Sequence, residues 1–310
     1  MKIVIVGPGA IGSLFASYLS KSKQEIWLLD KNKERAERLK QGINIEGVSG
    51  TWNARANVSV DASEIGKADL LIVCVKSYDT RQAINYARPI IGENCALLTL
   101  QNGIGNLEII SELVRGQNVF AGITNQGANL IEPGKLRHAG FGETVIGRID
   151  GKLTTELREI RQLFNEVGIP TRISRDIKGV LWSKLIINVG INALTAITRL
   201  RNGQLLEFEG TQAIMRQAVS EATRIAKRRR IRLLFDDPLA KVEAVCSATA
   251  NNISSMLADI LRKRKTEIDF INGVIVRQGE GLGIAVPVNC LLVDLIKTIE
   301  TSYSLRTDSF

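Results

Sequence analysis

Residues Lys2–Ser22, KIVIVGPGAIGSLFASYLSKS, decide how the first half of this chain folds. Lys2–Val6 is a β-branched run, the composition of a strand buried in a parallel sheet. Gly7-Pro8-Gly9-Ala10-Ile11-Gly12 follows at once. Beyond it, Ile11, Leu14, Phe15, Tyr18 and Leu19 share one face of a helix. A GxGxxG pattern between a strand and a helix has a physical purpose. Gly7 permits a tight turn, Gly9 lets backbone approach a pyrophosphate, and Gly12 lets the helix pack closely on the strand. The phosphates then meet the helix N-terminus, with its free N–H groups and positive dipole end. The pattern alone is a weak signal; directly after a strand it points to nucleotide binding.

Glu25–Leu29 reads as a second strand ending in Asp30. An acid there usually bonds the ribose 2′-OH and favours NAD. Lys31 and Lys33 follow, and a cation there can neutralise a 2′-phosphate, so the cofactor signal is mixed. Lys31–Gln41 reads as a charged surface helix and Gly42–Asn57 as a hairpin insertion. Asp69–Val75 is a fully apolar strand that delivers Lys76 to the carboxyl edge, where ligands bind in such sheets. Lys76 is a candidate for contact with cofactor or substrate, against the plainer reading of a loop lysine in water. Cys95–Leu100 is another strand, followed by Gln101-Asn102-Gly103-Ile104-Gly105-Asn106. The glycines around Asn102 imply either backbone brought close to a ligand or an ordinary Asn-Gly turn. Val119–Thr124 and Ile169–Ser174 read as strands, Leu153–Val167 as an amphipathic helix, and Asn129–Arg148 as antiparallel additions. This alternation predicts a Rossmann-type, doubly wound α/β sheet over residues 1–175.

Residues 176–310 read as a C-terminal all-helical domain. Its first helix carries an unusual pattern. Val180–Ile197, VLWSKLIINVGINALTAI, is apolar except for a stripe of Lys184, Asn188 and Asn192 at i, i+4 and i+8. Burying an amine and two amides costs roughly several kcal/mol unless they are paired or left for a ligand. The run is long enough to cross a membrane, but its central lysine and amides argue against that. Further helices are expected over Glu209–Arg230, Pro238–Ala250, Ile253–Arg262, Thr266–Leu282 and Val288–Tyr303. Thr266 reads as a helix start with Glu267 in the first turn. Glu267 with Lys184 would make a carboxylate–amine pair able to hold and tune a proton donor.

Composition narrows the function classes. A chain of 310 residues, 45% hydrophobic, can bury two cores. Cys74, Cys95, Cys246 and Cys290 are far apart with no CxxC, as in a reduced cytoplasmic protein. His138 is the single histidine, so a zinc site is not expected, and no Gly-x-Ser-x-Gly elbow serves a hydrolase triad. His138 itself reads as structural. The net charge of +9 includes the runs Lys227–Arg232 and Arg262–Lys265, read as solvated helix ends rather than a nucleic-acid surface. No nucleic-acid or membrane partner is expected.

Seven motifs in order then carry a resemblance. They are GPGAIG, VKSYDT at Lys76, LQNGIGN at Asn102, WSKLIINVGINALTAI at Lys184, RNGQLL at Asn202, NISSMLADI at Ser255, and KTEIDFINGVIVRQGEGLGIAVPVN from Lys265. The chain resembles the ketopantoate reductase (2-dehydropantoate 2-reductase) family essentially end to end. The resemblance implies reduction of 2-dehydropantoate to (R)-pantoate in pantothenate and coenzyme A biosynthesis. It implies Lys184 as general acid, with Glu267 contacting the cofactor and organising the site. It places substrate oxygens on Asn188, Asn192, Asn202 and Ser255, and gives Lys76 and Asn102 to cofactor and active site. NADPH is the expected cofactor, with NADH the alternative because Asp30 precedes Lys31. Another small 2-oxo acid is the alternative substrate. A non-enzymatic nucleotide-sensing Rossmann protein is the alternative of a different class. A homodimer is left open.

Overall fold

Buried β-branched runs build the first unit of this computed structural model, which describes residues 1–306 except Arg115 and Gln117. That unit comprises Met1–Gln101 and Asn106–Ile177. It opens with β1 (Lys2–Val6), α1 (Ala10–Leu19), β2 (Glu25–Leu29) and α2 (Lys33–Lys40). Three short strands follow: β3 (Ile43–Gly47), β4 (Trp52–Ala54) and β5 (Asn57–Ser59). Then come β6 (Ala68–Val73), α3 (Thr80–Tyr86), β7 (Ile91–Thr99), α4 (Asn106–Leu113) and β8 (Val119–Thr124). The unit ends with β9 (Gly127–Glu132), β10 (Lys135–Gly140), β11 (Thr144–Gly147), α5 (Thr155–Glu166) and β12 (Thr171–Ile173).

Eight of these strands form one sheet in the order β12-β11-β8-β7-β6-β1-β2-β5. Every pairing in it is parallel except β11 on β8. The strand sequence outward from β1 reverses between β1 and β6, the switch point at which doubly wound sheets bind dinucleotides. Side-chain alternation gives each face its own core. Ile3, Ile5, Leu70 and Ile72 pack with Phe15 of α1 and Phe164 of α5. Val4, Val6, Leu71 and Val73 pack with Ile84 of α3 and Ile110 of α4. This Rossmann-type unit is the architecture expected from the alternation of strands and helices.

The expected hairpin at Gly42–Asn57 supplies β3 and β4, which pair antiparallel. They join β9 and β10 in a separate sheet ordered β4-β3-β10-β9, while β5 goes to the main sheet. His138 lies on β10, fully buried. Its Nε2 sits 2.9 Å from Gln126 Oε1, and Phe141 stacks edge-on at 4.6 Å. Burial holds its pKa below the ordinary value. It is a structural residue, as its sequence setting suggests.

The second unit comprises Asn102–Gly105 and the chain from Lys178 onward. Its helices are α6 (Ile177–Thr198), α7 (Glu209–Arg228), α8 (Pro238–Ala248), α9 (Ser255–Leu261), α10 (Asn272–Leu282) and α11 (Pro287–Thr301). The 22 residues of α6 are long and apolar enough to cross a membrane, yet the helix is mostly buried within the protein. Leu185, Ile186, Val189, Ala193 and Leu194 form the middle of the helical core, against Met215, Ala218 and Ala222 of α7. The apolar surround of Lys184 is therefore protein.

The helix expected over Thr266–Leu282 is broken. Thr266 Oγ1 accepts a hydrogen bond from Ile268 N–H, opening only a 3₁₀ turn over Ile268–Phe270. Ile271 then leaves helical geometry (φ −113°, ψ −94°), and α10 starts at Asn272. Glu267 is thus not in the first turn of an α-helix. The break places Asn272 in a buried polar network. Its Nδ2 donates to Asn289 Oδ1 at 3.0 Å and towards the Val189 carbonyl of α6 at 3.4 Å. Asn289 Nδ2 donates in turn to Glu221 Oε2 of α7 at 2.7 Å.

Glu221 also accepts the N–H groups of Val288 and Asn289, each at 3.0 Å, at the start of α11. It serves as a helix cap supplied from another helix. Glu221→Ala removes the acceptor of the Val288 and Asn289 N–H groups and leaves Asn289 Nδ2 only the Ala218 carbonyl at 3.1 Å, at a cost of about 2–4 kcal/mol. The urea midpoint of Glu221→Ala should fall accordingly, with Glu221→Gln losing less; equilibrium denaturation followed by circular dichroism measures both.

Candidate active site

The glycine-rich loop is fixed by sterics on one side and open on the other. Gly7 has φ +84°, and a Cβ there would lie 2.5 Å from Val75 Cγ1. A Cβ at Gly12 would lie 2.5 Å from the Gly7 carbonyl oxygen, so α1 approaches the strand turn as closely as glycine allows. At Gly9, by contrast, a Cβ meets nothing within 4 Å. Protein packing does not demand a glycine there, whereas a ligand lying against the backbone would. Gly9 caps α1 without a side-chain bond, and no acid sits in the first turn to offset the dipole. The Pro8 carbonyl accepts the Ser13 hydroxyl at 3.0 Å, which holds the loop shut behind Ala10 and Ile11. These residues fit a dinucleotide pyrophosphate.

Three further candidates lie in the first unit. Asp30, at the end of β2, is buried and engaged by Arg35 of α2. Lys31 is more than half exposed and donates to Gln82 Oε1 at 2.9 Å, with Asp79 3.7 Å away. Lys76 lies three residues beyond the last residue of β6 and leads into a 3₁₀ turn over Ser77–Asp79. That turn is anchored by residues for which the sequence reading gave no role. Gln101 Nε2 donates to the Val75 carbonyl at 2.9 Å and to Thr80 Oγ1 at 2.8 Å. Thr99 Oγ1 donates to Gln101 Oε1 at 2.9 Å. Asn106 Nδ2 donates to Ser77 Oγ at 3.0 Å, and Asn106 Oδ1 lies 2.9 Å from Thr80 Oγ1. All five side chains are buried. The available signal was polar residues at two strand ends, within VKSYDT and LQNGIGN.

In the second unit the structure brings four candidates together. Lys184, Asn188 and Asn192 rise along α6 as the spacing predicts. The side-chain amides of Asn188 and Asn192 make no hydrogen bond among the described residues, although Asn192 is only 5% exposed. Glu267 is also 5% exposed and near enough to Lys184 to act on its charge. Burial is the larger effect and pushes the Lys184 ammonium down from 10.5 to about 8; the Glu267 carboxylate opposes it. The residue as a whole is half-buried.

Asn102 belongs to this unit. The loop behind it is docked by a hydrogen bond from Ile104 N–H to the Phe270 carbonyl at 3.0 Å. Phe270 N–H in turn donates to the Glu267 carbonyl at 2.9 Å. Asn102 and Glu267 are therefore carried by segments in direct contact. Gly103 has φ +79°, and a Cβ there would fall 2.3 Å from the Phe270 carbonyl oxygen, so only glycine permits the docking.

The remaining two candidates stand on other elements. Asn202 is buried, its Nδ2 donating to Thr249 Oγ1 at 2.9 Å, while its buried Oδ1 has no partner among the described residues. Ser255 is exposed at the first position of α9. Ser254 is the structural neighbour: it caps α9 through Leu257 N–H and accepts the Thr195 hydroxyl of α6 at 2.7 Å.

A Rossmann unit with an open glycine cradle, followed by a helical unit with a desolvated amine beside a carboxylate, defines an NAD(P)-dependent oxidoreductase. Comparison with known proteins makes the class specific. The ketopantoate reductase PanE/ApbA family matches residues 3–151, and its C-terminal family matches residues 176–300. The chain belongs to the ketopantoate reductase family. It is 35% identical over 302 residues to the 2-dehydropantoate 2-reductase of Halobacterium salinarum, covering 96% of this chain and 98% of that one. It is 36% identical to that of Pyrococcus horikoshii, covering 97% and 98%. Among solved structures, a PanE/ApbA family ketopantoate reductase from Ralstonia eutropha aligns with TM-score 0.91 at 33% identity, covering 98% and 100%. D-mandelate dehydrogenase with NADH and anilino(oxo)acetate aligns with TM-score 0.90 at 26% identity, covering 98% and 100%.

A donor whose pKa lies near 8 imposes a pH dependence. As a proton donor Lys184 would act only in its ammonium form, so reductive kcat/KM should be level below about pH 8 and fall about tenfold per unit above it. Glu267→Gln removes the opposing charge, so the descending limb should move to lower pH. A pH–rate series on both proteins checks the limb and its displacement.

Proposed function

We propose that this chain reduces the C2 ketone of 2-dehydropantoate to (R)-pantoate with NADPH, a step of pantothenate and coenzyme A biosynthesis in the cytoplasm. The observation that carries the reading is the Lys184 stripe. An amine tuned towards neutrality shares a half-buried helix face with two amides that make no hydrogen bond among the described residues. Polar groups in such a core persist when a ligand completes them. The bound cofactor supplies a hydride to the ketone carbon. Negative charge then grows on the carbonyl oxygen, where the Lys184 ammonium stabilises it and releases a proton from Nζ. Lys184 is left as a neutral amine and recovers its proton from solvent. Glu267 favours the charged form of Lys184 and so keeps it loaded at neutral pH.

Asn188, Asn192, Asn202 and Ser255 are assigned to the substrate's hydroxyl and carboxylate oxygens. Amides and a hydroxyl suit this task because they donate and accept along fixed directions without adding charge. Gly7, Pro8, Gly9, Ala10, Ile11 and Gly12 are assigned to the pyrophosphate, and Lys76 and Asn102 to the cofactor and active site. A second reading, reduction of another small 2-oxo acid with NADH, draws on the likeness to D-mandelate dehydrogenase and on Asp30.

The test follows nicotinamide absorbance with 2-dehydropantoate, 2-oxoisovalerate and pyruvate, each with NADPH and NADH. The expected result is at least about tenfold higher kcat/KM for 2-dehydropantoate, and equal rates for the three acids would overturn the assignment. Lys184→Ala should lower kcat by roughly 10²–10⁴-fold while NADPH binding, read by nicotinamide fluorescence, stays near wild type.

A further inference from the structure

The acid at the end of β2 is the position that reads the ribose 2′-hydroxyl in this fold class. In this chain that acid is already taken. Asp30 Oδ2 accepts from Arg35 Nε, and Asp30 Oδ1 accepts from Arg35 Nη2 at 2.6 Å. Asn32 N–H donates to the same Oδ1 at 3.0 Å. The Asp30 side chain is 1% exposed, whereas that of Arg35 is 33% exposed. The guanidinium therefore covers the carboxylate and presents its own outer edge. Its Nη1 makes no hydrogen bond among the described residues.

Arg35 is held there from both ends. It lies in the first turn of α2, and its own N–H donates to the Asn32 cap at 2.8 Å. A bidentate guanidinium–carboxylate pair adds directional constraint to the contact. Around it, Glu34 is turned towards Arg38 at 3.2 Å, so the nearest acid in sequence is engaged elsewhere. Lys31 and Lys33 are exposed. The end of β2 thus shows a cationic edge where an uncovered aspartate would show an acceptor.

We propose that Arg35 is the specificity-determining residue for the cofactor: by covering Asp30 it withdraws the 2′-hydroxyl acceptor and offers a guanidinium to a 2′-phosphate. This rests on the reading of NADPH as cofactor. The physical reason is a difference in both directions. A bare Asp30 carboxylate would repel a phosphate dianion and accept from a hydroxyl. The same carboxylate under Arg35 is neutralised, and the remaining guanidinium hydrogens suit phosphate oxygens.

Titration of the full-length protein with NADPH and with NADH, read by nicotinamide fluorescence without any 2-oxo acid, tests this. Wild type should bind NADPH at least about tenfold more tightly than NADH, the size expected for a charge-assisted hydrogen-bond contact. Arg35→Ala should erase that preference and improve NADH binding, because Asp30 is released. Arg35→Lys keeps a charge but loses the fork, so its ratio should fall in the same direction by a smaller factor. A ratio unchanged in Arg35→Ala, or in Arg35→Lys should the alanine variant not fold, would overturn the role of Arg35 while leaving the NADPH reading intact. A wild-type protein without preference for NADPH would overturn the cofactor reading and the proposal together. Failure of 2-dehydropantoate to turn over would leave these binding ratios untouched.

Discussion

Desolvation of one amine sets the terms for the helical unit. Lys184 sits on a helix whose other faces are packed by Leu, Ile and Val, and burial works against its charge more strongly than Glu267 supports it. Because its folded pKa lies below the unfolded value, the charged amine opposes folding at neutral pH. That opposition fades only as pH rises from about 8 towards 10.5. The unit must therefore hold its shape through other contacts. The Asn272–Asn289–Glu221 network does so, linking α10, α11 and α7 and reaching the α6 backbone at Val189. The break at Ile271, costly as helix geometry, gives Asn272 its place in that network and leaves Glu267 on a short turn beside it.

The Rossmann unit handles polarity by the opposite route. It leaves the positive start of α1 open on backbone and ties its buried polar side chains at the ends of β6 and β7 to one another. Thr99, Gln101, Thr80, Ser77 and Asn106 form a buried, uncharged lattice between the ends of β6 and β7. Such a lattice is rigid when every member is satisfied. It fixes the turn that begins at Lys76 with uncharged side chains. Asp30 follows the same economy of charge, since Arg35 meets it within one turn of helix.

What was legible in the sequence is what local periodicity encodes. The strand before Gly7, the helix after it and the stripe of Lys184, Asn188 and Asn192 each depend on neighbours within a few residues. The two-sided core followed from alternation along β1 and β6. Three features escaped because they depend on contacts distant in sequence. Glu221 meets Asn289, and Gln101 meets Val75, with nothing local to mark either pairing. Thr266–Leu282 has helical apolar spacing throughout, and only the demand of Asn289 and Val189 for Asn272 shows why it breaks. Asp30 was ambiguous for a different reason. Its partner Arg35 lies within the same loop and helix start, but a charged surface helix offers several cations, and spacing alone does not say which one turns inward.

The choice of amides along the stripe follows from the lysine itself. A 2-oxo acid carries a carboxylate, and an arginine clamp would be the stronger trap for it. A second cation beside Lys184 would also push the amine further towards neutrality, as a like charge does. With burial having already brought the pKa to about 8, that further loss would leave little ammonium at neutral pH. On the proposed reading, Asn188 and Asn192 avoid the conflict: they offer hydrogen bonds and leave the field at Nζ to Glu267 and to the arriving carboxylate. On the proposed reading, substrate binding itself then favours the protonated amine. The donor is charged most fully in the complex that consumes its proton.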